Sequence, residues 1–306
     1  MVRRLMRPAG FADALAAVGS PARLYRRLKI SLVRPLIRPV DDPISYAEED
    51  WDTLIVLDGC RYDVFRDRNV FEGTARKVHS NASHTVDFLT ENFSEPRHDV
   101  VYVSATPQVT RVEENLHRVY HLWETDWDDE CDTVRPETVT ERALEAHERH
   151  PDKRLVVHYM QPHYPFIGPK GRELGDHGTY TGGLRRRHRP IVWEMIAAGS
   201  VDAELVREAY VENLDIALPH VRALTDRLDG KSVVTSDHGN LFGERVSRLP
   251  ITVEGHPPRF NHPDLTAVPW LELPFEERRE VVAEEPEDRT WYSERAEEKL
   301  RAIGYV

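Results

Sequence analysis

The sequence predicts an α/β fold with a mostly parallel central sheet and helices on both faces. Three apolar runs, at residues 51–57, 154–160 and 232–235, each lead into polar side chains of the metal-ligand type. Runs that are apolar on both faces are typical of central parallel strands, and ligands bind at the carboxyl ends of such strands. We therefore expect the three strand ends to meet at one crevice.

The bulk composition is that of an ordinary globular protein. The 306 residues suffice for one large α/β domain, which we assign to residues 44–306, after a basic amphipathic extension at residues 1–43. No run approaches the roughly eighteen apolar residues of a membrane span, and the N-terminus lacks the features of a secretory signal. We therefore expect a cytoplasmic protein, peripheral at the inner face of the membrane if the extension binds lipid. The two cysteines, Cys60 and Cys131, are expected to be free thiols.

Charge is distributed unevenly along the chain. Residues 1–38 carry nine Lys or Arg against one Asp or Glu, whereas the remainder carries 32 against 52. The net charge of −12 argues against a nucleic-acid partner. The leucines and arginines of residues 1–38 suit basic amphipathic helices that dock on an anionic membrane surface, or a helical extension packed against the acidic body. Both interpretations stay open, and the oligomeric state is unknown.

The first half of the chain contains two predicted strands. Residues 51–57 form the first, which ends in Asp58 and a turn at Gly59, and residues 99–104 form the second. Between them an irregular turn at residues 81–85 leads into a helix, which places Ser83 or Thr85 at the helix N-terminus. Residues 108–136 are rich in aromatic and acidic side chains and show no usable periodicity.

The second half contains the better-marked elements. Helices are predicted at residues 137–150 and 203–228, the latter kinked at Pro219, and strands at residues 154–160 and 232–235. Residues 167–190 are rich in glycine and arginine and are interpreted as a long surface loop. Pro269 predicts an edge or bulge position for a strand at residues 268–273, and the tail at residues 290–306 is interpreted as a helix.

The strand-end residues form a candidate metal site. Asp58, Asp237 and His238 supply oxygen and nitrogen ligands that suit one divalent ion such as Mn²⁺, Mg²⁺, Zn²⁺ or Ca²⁺. Any one of them alone is more often a turn former. A hydroxyl at a helix N-terminus beside an ion loses its proton more easily, so Thr85 is the first candidate nucleophile and Ser83 the second. Helix capping is the alternative role for both.

These motifs resemble the sulfatase-like branch of the alkaline phosphatase superfamily over about residues 50–306. The matching elements are Leu-Asp58 after a strand, a Ser/Thr segment, His-Tyr-Met-Gln-Pro-His163-Tyr-Pro, Thr-Ser-Asp237-His238-Gly and a C-terminal Leu-Arg-Ala-Ile-Gly-Tyr. The formylglycine motif CxPxR is missing at Cys60, and Gly59 replaces a second aspartate. Both departures favour the relatives that use a threonine and a single metal, such as lipoteichoic-acid-synthase-like phosphotransferases and phosphodiesterases.

The resemblance implies that Asp58, Thr85, Asp237 and His238 hold the metal. Two-metal relatives carry a further Asp-xxx-His on a helix, whereas Asp215 and His220 are out of register, so a complete second site is not expected.

Three further residues are candidates for contact with the substrate. His163 and His256 both suit anion binding or general acid catalysis, because imidazole can donate to phosphoryl oxygens and titrates near neutrality. His262 is the alternative to His256. Arg61 could clamp an anionic oxygen with two hydrogen bonds, although a surface salt bridge is the commoner role of an arginine.

The sequence thus predicts a metal-dependent hydrolase or transferase that acts on a phosphomonoester or phosphodiester through Thr85 or Ser83. The expected substrate is an anionic ester, glycan- or lipid-linked. The alternatives are a sulfatase with an unmodified hydroxyl nucleophile, and a member of the same fold that binds metal or glycan without turnover.

Overall fold

The computed structural model describes residues 21–38, 40–175 and 189–286. The helix predicted at residues 290–306, with its Leu-Arg-Ala-Ile-Gly-Tyr motif, lies outside the described residues. So does most of the arginine cluster in the predicted loop at residues 167–190.

A central sheet of seven strands runs through the described part of the chain in the order β2-β9-β6-β1-β5-β3-β4. Strands β6, β1, β5, β3 and β4 are parallel to one another, whereas β9 is antiparallel to both of its neighbours. This confirms the mostly parallel sheet. The strands span Thr53–Leu57 (β1), Arg76–His79 (β2), Arg97–Ser104 (β3), Leu116–His121 (β4), Arg154–Tyr159 (β5), Ser232–Thr235 (β6) and Ala267–Glu272 (β9).

Helices cover both faces of the sheet, as predicted. Alternate residues of β1 enter two separate apolar cores, because successive side chains of a strand point to opposite faces: Ile55 and Leu57 join one, and Leu54 and Val56 the other. In the described residues the α-helices span Pro21–Val33 (α1), Tyr62–Arg68 (α2), Thr85–Phe93 (α3), Leu122–Thr125 (α4), Pro136–Arg149 (α5), Pro169–Glu173 (α6), Val192–Ala197 (α7), Ala203–Thr225 (α8) and Pro263–Thr266 (α9).

The long helices separate between the two faces. Helices α5 and α8 contribute apolar residues to the core that contains Ile55, while α3 contributes Phe88 and Leu89 to the core on the other face. Short 3₁₀ turns at Arg34–Leu36, Pro107–Arg111 and Glu113–Asn115 complete the helical structure of the described chain.

A small antiparallel hairpin lies outside the main sheet. Its strands β7 (Leu241–Arg245) and β8 (Thr252–Gly255) pair with each other. Helix α1 packs on this hairpin and shares a third apolar core with it, to which Ile30, Val33 and Val253 belong. The extension at residues 1–43 therefore contacts the body through α1, and the domain boundary after residue 43 stays a prediction.

Four local predictions need correction or comment. Strand β9 is not at an edge, because β2 pairs with its outer side. Pro269 has no amide proton, but its carbonyl still accepts a 2.7 Å hydrogen bond from the Thr235 hydroxyl.

The stretch 167–190 is not one long loop, since α6 begins at Pro169. Residues 108–136 contain β4, and Pro219 lies inside α8, which continues to Thr225.

Candidate active site

The carboxyl ends of β6, β1 and β5 lie side by side, and the side chains that follow them meet as expected. Asp58 is 4% exposed, and Asp237 and His238 are fully buried. One ligand atom from each of the three lies within 4.8 Å of the other two. Three residues that are distant in the sequence therefore form one compact cluster of oxygen and nitrogen donors.

Two oxygen atoms of this cluster are buried without a hydrogen-bond partner. They are Oδ1 of Asp58 and Oδ2 of Asp237. The imidazole of His238 donates from Nδ1 to the Gly239 carbonyl at 2.8 Å, so its Nε2 carries a lone pair, 3.3 Å from the Thr85 hydroxyl. That Nε2 lies 3.3 Å from Asp237 Oδ2 and 3.8 Å from Asp58 Oδ1. Because buried carboxylate oxygens are costly unless they are paired or bind a metal, the donor set fits one divalent cation.

The pKa values of the two carboxyl groups are shifted in opposite directions. Burial and the nearby charge of Asp237 raise the pKa of Asp58 well above its ordinary value. Burial also opposes ionisation of Asp237, but His238, His158 and the Gly59 amide outweigh it and lower the pKa of Asp237. Without a cation, Asp237 thus holds its charge more readily than Asp58 does. A divalent ion would favour the ionised form of both.

The backbone of two strand ends fixes Asp237. Its Oδ1 accepts hydrogen bonds from the amides of Gly59 and His238, both at 2.9 Å. Gly59 has a φ of +65°, and a Cβ there would lie 2.6 Å from Nδ2 of Asn240. The turn after β1 therefore requires glycine, which explains why a second aspartate does not follow Asp58.

Thr85 faces the cluster, and Ser83 does not. Thr85 is the first residue of α3, is 5% exposed, and places Oγ1 3.3 Å from His238 Nε2. The fully buried Ser83 hydroxyl instead donates to the Pro257 carbonyl at 3.0 Å and accepts from the Phe260 amide at 2.8 Å. The two candidate hydroxyls thus have different surroundings. The Ser83 hydroxyl forms hydrogen bonds that hold residues 257–260 in place.

Three more imidazoles line the opposite wall of the site. The ring centroid of His256 lies 4.7 Å from that of His238, 4.9 Å from that of His163 and 5.3 Å from that of His84. All three belong to a pocket that Asp58 and Thr85 also line. We call His84, His163 and His256 the histidine wall.

Hydrogen bonds at Nδ1 set the proton positions of the histidine wall. His163 Nδ1 faces the Tyr164 carbonyl at 2.5 Å, and His256 Nδ1 faces Oδ1 of Asn240 at 2.7 Å. Both neutral rings therefore carry their proton on Nδ1 and keep a lone pair on Nε2. In His84, Nδ1 accepts from the Val86 amide at 3.1 Å, so its neutral ring carries the proton on Nε2.

The histidine wall is neutral in the absence of substrate. Burial lowers the pKa of His84 to about 4 and that of His163 to about 3. Burial, followed by the neighbouring imidazoles, lowers the pKa of His256 well below its usual value. An Nε2 lone pair accepts a proton before it can donate one, so His163 and His256 enter a reaction as proton acceptors or ligands.

The structure does not bring Arg61 into the pocket. Its guanidinium bonds both carboxylate oxygens of Asp63, at 2.8 and 3.0 Å, and lies 2.5 Å from Glu244 Oε1. It also donates to the Asn240 carbonyl at 3.0 Å. With its donors engaged in this way, Arg61 supports the turn after β1 and the start of the hairpin.

Other sequence candidates also lie elsewhere. His262 caps α9 through a bond from the Asp264 amide and does not replace His256. Asp215 pairs with Arg68, and His220 lies 3.8 Å from Glu137. The Asp215 and His220 pair thus contributes nothing to the cluster.

Sequence reasoning did not assign roles to His84, His158 and Asn240. His84 stands between the two candidate nucleophiles, and only its exposure to the pocket marks it. His158 is buried inside β5 with Nδ1 2.8 Å from the Tyr102 hydroxyl and Nε2 3.9 Å from Asp237 Oδ2. Asn240 donates to the Gly59 carbonyl at 3.1 Å, which directs its Oδ1 to His256. In the sequence, His84 is marked only by its position next to Thr85, and Asn240 only by its position three residues after Asp237. No such signal marks His158.

Comparison with known proteins identifies the fold. No protein-family model matches the sequence, and no curated protein matches it. The chain is similar to the solved structure of the integral membrane protein lipooligosaccharide phosphoethanolamine transferase A from Neisseria meningitidis, with a TM-score of 0.50 and 9% identity. The match covers 86% of this chain and 55% of that one, so this chain spans about half the length of that structure.

Two further similarities are weaker. The C-terminal periplasmic domain of phosphoethanolamine transferase EptC from Campylobacter jejuni has a TM-score of 0.43 and 14% identity, over 72% of this chain and 77% of that one. An alkaline phosphatase superfamily protein from Vibrio parahaemolyticus has a TM-score of 0.34 and 12% identity, over 84% and 69%.

The expected location of the protein has to be corrected. The chain was predicted to be cytoplasmic or peripheral at the inner face of the membrane. The similar Neisseria structure is that of an integral membrane protein, and this finding contradicts that prediction. Within the described residues, no helix has the length and apolar character that a bilayer crossing needs. The chain shares the fold of that phosphoethanolamine transferase structure, which agrees with the resemblance of its motifs to the alkaline phosphatase superfamily.

Proposed function

We propose that this protein is a metal-dependent hydrolase or transferase of phosphate esters, with Thr85 as the nucleophile. The observation that carries the proposal is the pair of unpartnered, buried oxygens on Asp58 and Asp237, which face His238 Nε2 and the Thr85 hydroxyl. Asp58, Asp237, His238 and Thr85 would hold one divalent ion. When bound, the ion supplies positive charge that stabilises an ionised threonine oxygen and a phosphoryl oxygen.

The chain's own residues supply the remaining chemistry. The bound phosphate anion raises the pKa of the neighbouring imidazoles above that of the empty site. The Thr85 hydroxyl loses its proton to an Nε2 lone pair of the histidine wall, on His163 or His256, and its oxygen bonds to phosphorus. The bond from phosphorus to the ester oxygen breaks on the opposite side, and the departing oxygen takes up that proton. Water or an acceptor hydroxyl then displaces Thr85 from phosphorus, which restores the threonine hydroxyl.

His84 has a complementary role in this proposal. Its Nε2 carries a proton in the neutral ring, because Nδ1 accepts from the Val86 amide. It can therefore donate a hydrogen bond to a phosphoryl oxygen without first taking up a proton. His163 and His256 can bind the same anion only once they are protonated, which ties their substrate contacts to the first proton transfer.

The proposed substrate is an anionic phosphate ester carried on a lipid or a glycan. The similar Neisseria protein is named for the transfer of phosphoethanolamine to lipooligosaccharide. Thr106, Gln108 and Met160 line the pocket beside the histidine wall and would contact the group attached to phosphorus. A sulfate ester and a site without turnover are the alternatives that the experiment must separate.

A panel of chromogenic phosphomonoesters, phosphodiesters and sulfate esters tests the proposal. Each is assayed after chelation and after addition of Mn²⁺, Mg²⁺, Zn²⁺ or Ca²⁺. We expect turnover of phosphate esters that depends on the ion. Turnover of sulfate esters alone would favour the sulfatase, and metal binding with no turnover of any ester would favour a binding protein.

The nucleophile is tested by mass spectrometry of protein stopped during turnover. We expect a phosphoryl or phosphoryl-ester adduct on Thr85, and a loss of at least about 10⁴-fold in kcat for Thr85→Ala, the scale seen when a nucleophile is removed. Thr90→Ala is the matched control, since Thr90 lies in the same helix, is exposed and bonds only the Val86 carbonyl among the described contacts. An adduct on another residue would remove Thr85 from the mechanism.

A further inference from the structure

The outward face of α1 carries an unusual concentration of apolar side chains. Among the described residues, nine large apolar side chains are exposed, and five of them lie in this helix and the turn that follows it. Single exposed apolar residues are normal on a protein surface, but a contiguous patch marks a contact site. The five, with their exposed fractions, are Leu24 (44%), Tyr25 (53%), Leu28 (55%), Leu32 (63%) and Leu36 (51%).

These side chains share one face of the helix. The four leucines recur at every fourth residue, a spacing that keeps them on one side of an α-helix. The opposite side is occupied by the protein itself, because Ile30 and Val33 are buried against the hairpin of β7 and β8. Helix α1 therefore has two apolar faces. The inner face is buried against the hairpin, and the outer face is exposed in the described structure.

The charges on α1 are divided in the same way. On the inner side, Arg23 pairs with Glu194 at 2.7 Å, and Lys29 bonds buried Glu254 at 2.6 Å. On the outer side, Arg27 and Arg38 are exposed and have no acidic partner among the described residues. The inner cations anchor the helix to the body, and the outer cations flank the apolar patch.

We propose that the outward face of α1 docks on an anionic lipid surface, with the leucines inserted among the acyl chains and the arginines at the headgroups. A helix with an apolar face flanked by arginine has the chemistry that binds at such an interface. A second copy of this chain fits less well, because a symmetric contact between two such faces would bring arginines together where residues 21–38 contain no Asp or Glu to pair with them. The proposal does not depend on the proposed catalytic chemistry.

The docked helix is connected to the active site through β8. The Arg26 guanidinium donates to the Glu254 carbonyl at 2.7 and 3.1 Å, and His256 of the histidine wall follows two residues later. Arg34 donates to the Pro258 carbonyl at 3.1 Å. Docking through α1 would thus hold the loop that carries His256 at a fixed position relative to the lipid surface.

Co-sedimentation of the full chain with vesicles tests the docking. We expect binding to phosphatidylglycerol–phosphatidylcholine vesicles that weakens with salt, and little binding to phosphatidylcholine alone. The double variant Leu28→Ser, Leu32→Ser should lose at least about tenfold in partitioning, because two insertions are removed. Arg27→Gln should lose about fivefold on anionic vesicles.

Val70→Ser is the matched control, since Val70 is also exposed, at 40%, but lies between α2 and β2, away from α1. Circular dichroism melts establish that every variant is folded, which the exposure of the substituted side chains leads us to expect. Equal vesicle binding by wild type and the double variant would overturn the proposal. So would wild-type protein that ignores both vesicles, or that forms a dimer which the double variant cannot form.

Discussion

The two walls of the candidate active site differ in charge and in origin. Asp58 directly follows β1, and Asp237 and His238 come one residue after the adjacent strand β6. The two carboxylates offer buried oxygens without hydrogen-bond partners. The histidine wall comes from a helix N-terminus and two loops and consists of neutral imidazoles. The first wall therefore offers negative charge and unpartnered oxygens that suit a cation, whereas the second wall is uncharged and takes up a proton only when an anion lies beside it. A proton that moves from the nucleophile to the second wall would form an imidazolium, which the anionic substrate would stabilise.

Among substitutions within the two walls, we expect the largest effect in the charged wall. Asp58→Asn removes one anionic ligand, and we expect kcat/KM to fall by about 10³-fold with loss of the bound ion, since a catalytic ion contributes several kcal/mol. Burial and Asp237 raise the pKa of Asp58 above its unfolded value, so its ionisation costs stability as pH rises. The chelated variant should therefore be more stable than chelated wild type at pH 7.5, by about 1–3 kcal/mol.

Two measurements check this pair of opposite effects. Metal content and kinetics report the lost ion, and denaturant unfolding after chelation reports the gain in stability. Asp67→Asn is the control, because Asp67 is exposed and pairs only with Arg66 among the described contacts. A chelated Asp58→Asn protein less stable than wild type would show that Asp58 has a structural partner, and the cation site would lose its main support.

The second prediction concerns a substitution in the neutral histidine wall. His163→Gln removes an Nε2 lone pair, and we expect kcat to fall by about 10²-fold, the scale of a lost proton-transfer group. Burial lowers the pKa of His163 to about 3, below its unfolded value of 6.5. The unfolded chain thus binds more protons, and wild type loses stability as pH falls from 6.5 towards 3.

The variant should lose less stability over that window. Between about pH 4 and 6 the slope of unfolding free energy against pH should fall by about 1.4 kcal/mol per pH unit, because one proton fewer is taken up on unfolding. Denaturant unfolding of chelated protein at several pH values measures the slope. An unchanged slope would mean that His163 is protonated in the folded protein, and the histidine wall would then be a set of donors.

The two walls also differ in how far the sequence predicted them. The sequence predicted the metal-ligand candidates Asp58, Asp237 and His238, because an apolar run indicates a central strand and parallel strands bring their carboxyl ends together. The sequence named His163 and His256 as candidates, but their proximity and the inclusion of His84 needed tertiary information. His256 follows a hairpin strand that the pattern did not indicate, and the role proposed for His84 depends on its tautomer. The hydrogen bond that sets each tautomer joins residues whose approach depends on loop geometry.

The fold shows the same division. The parallel strands and the helices α5 and α8 were predicted because long periodic or apolar runs specify them. Strand β2 was missed because Arg76 and Lys77 in it are exposed and only half of its residues face the protein. The edge position of β9 was wrong for the same reason, since the short polar strand β2 pairs with the proline-bearing side of β9.

The smallest expected effect on catalysis separates the two hydroxyls at the start of α3. Ser83→Ala leaves the Pro257 carbonyl and the Phe260 amide without the partner that now bonds them, and we expect a loss of about 2 kcal/mol in unfolding free energy. Because His256 adjoins Pro257, kcat should fall only a few-fold, through a shifted imidazole. The adduct on Thr85 should still form.

Ser247→Ala is the control, since Ser247 is half-buried and its hydroxyl accepts only the Leu249 amide among the described contacts. A few-fold loss with the adduct retained assigns Ser83 to the scaffold of the histidine wall. Loss of the adduct in a protein that remains folded would instead make Ser83 the nucleophile. Its hydroxyl would then have to leave two buried partners to reach the metal ligands, a rearrangement that would expose the Phe260 amide to hydrogen exchange, where it can be measured directly.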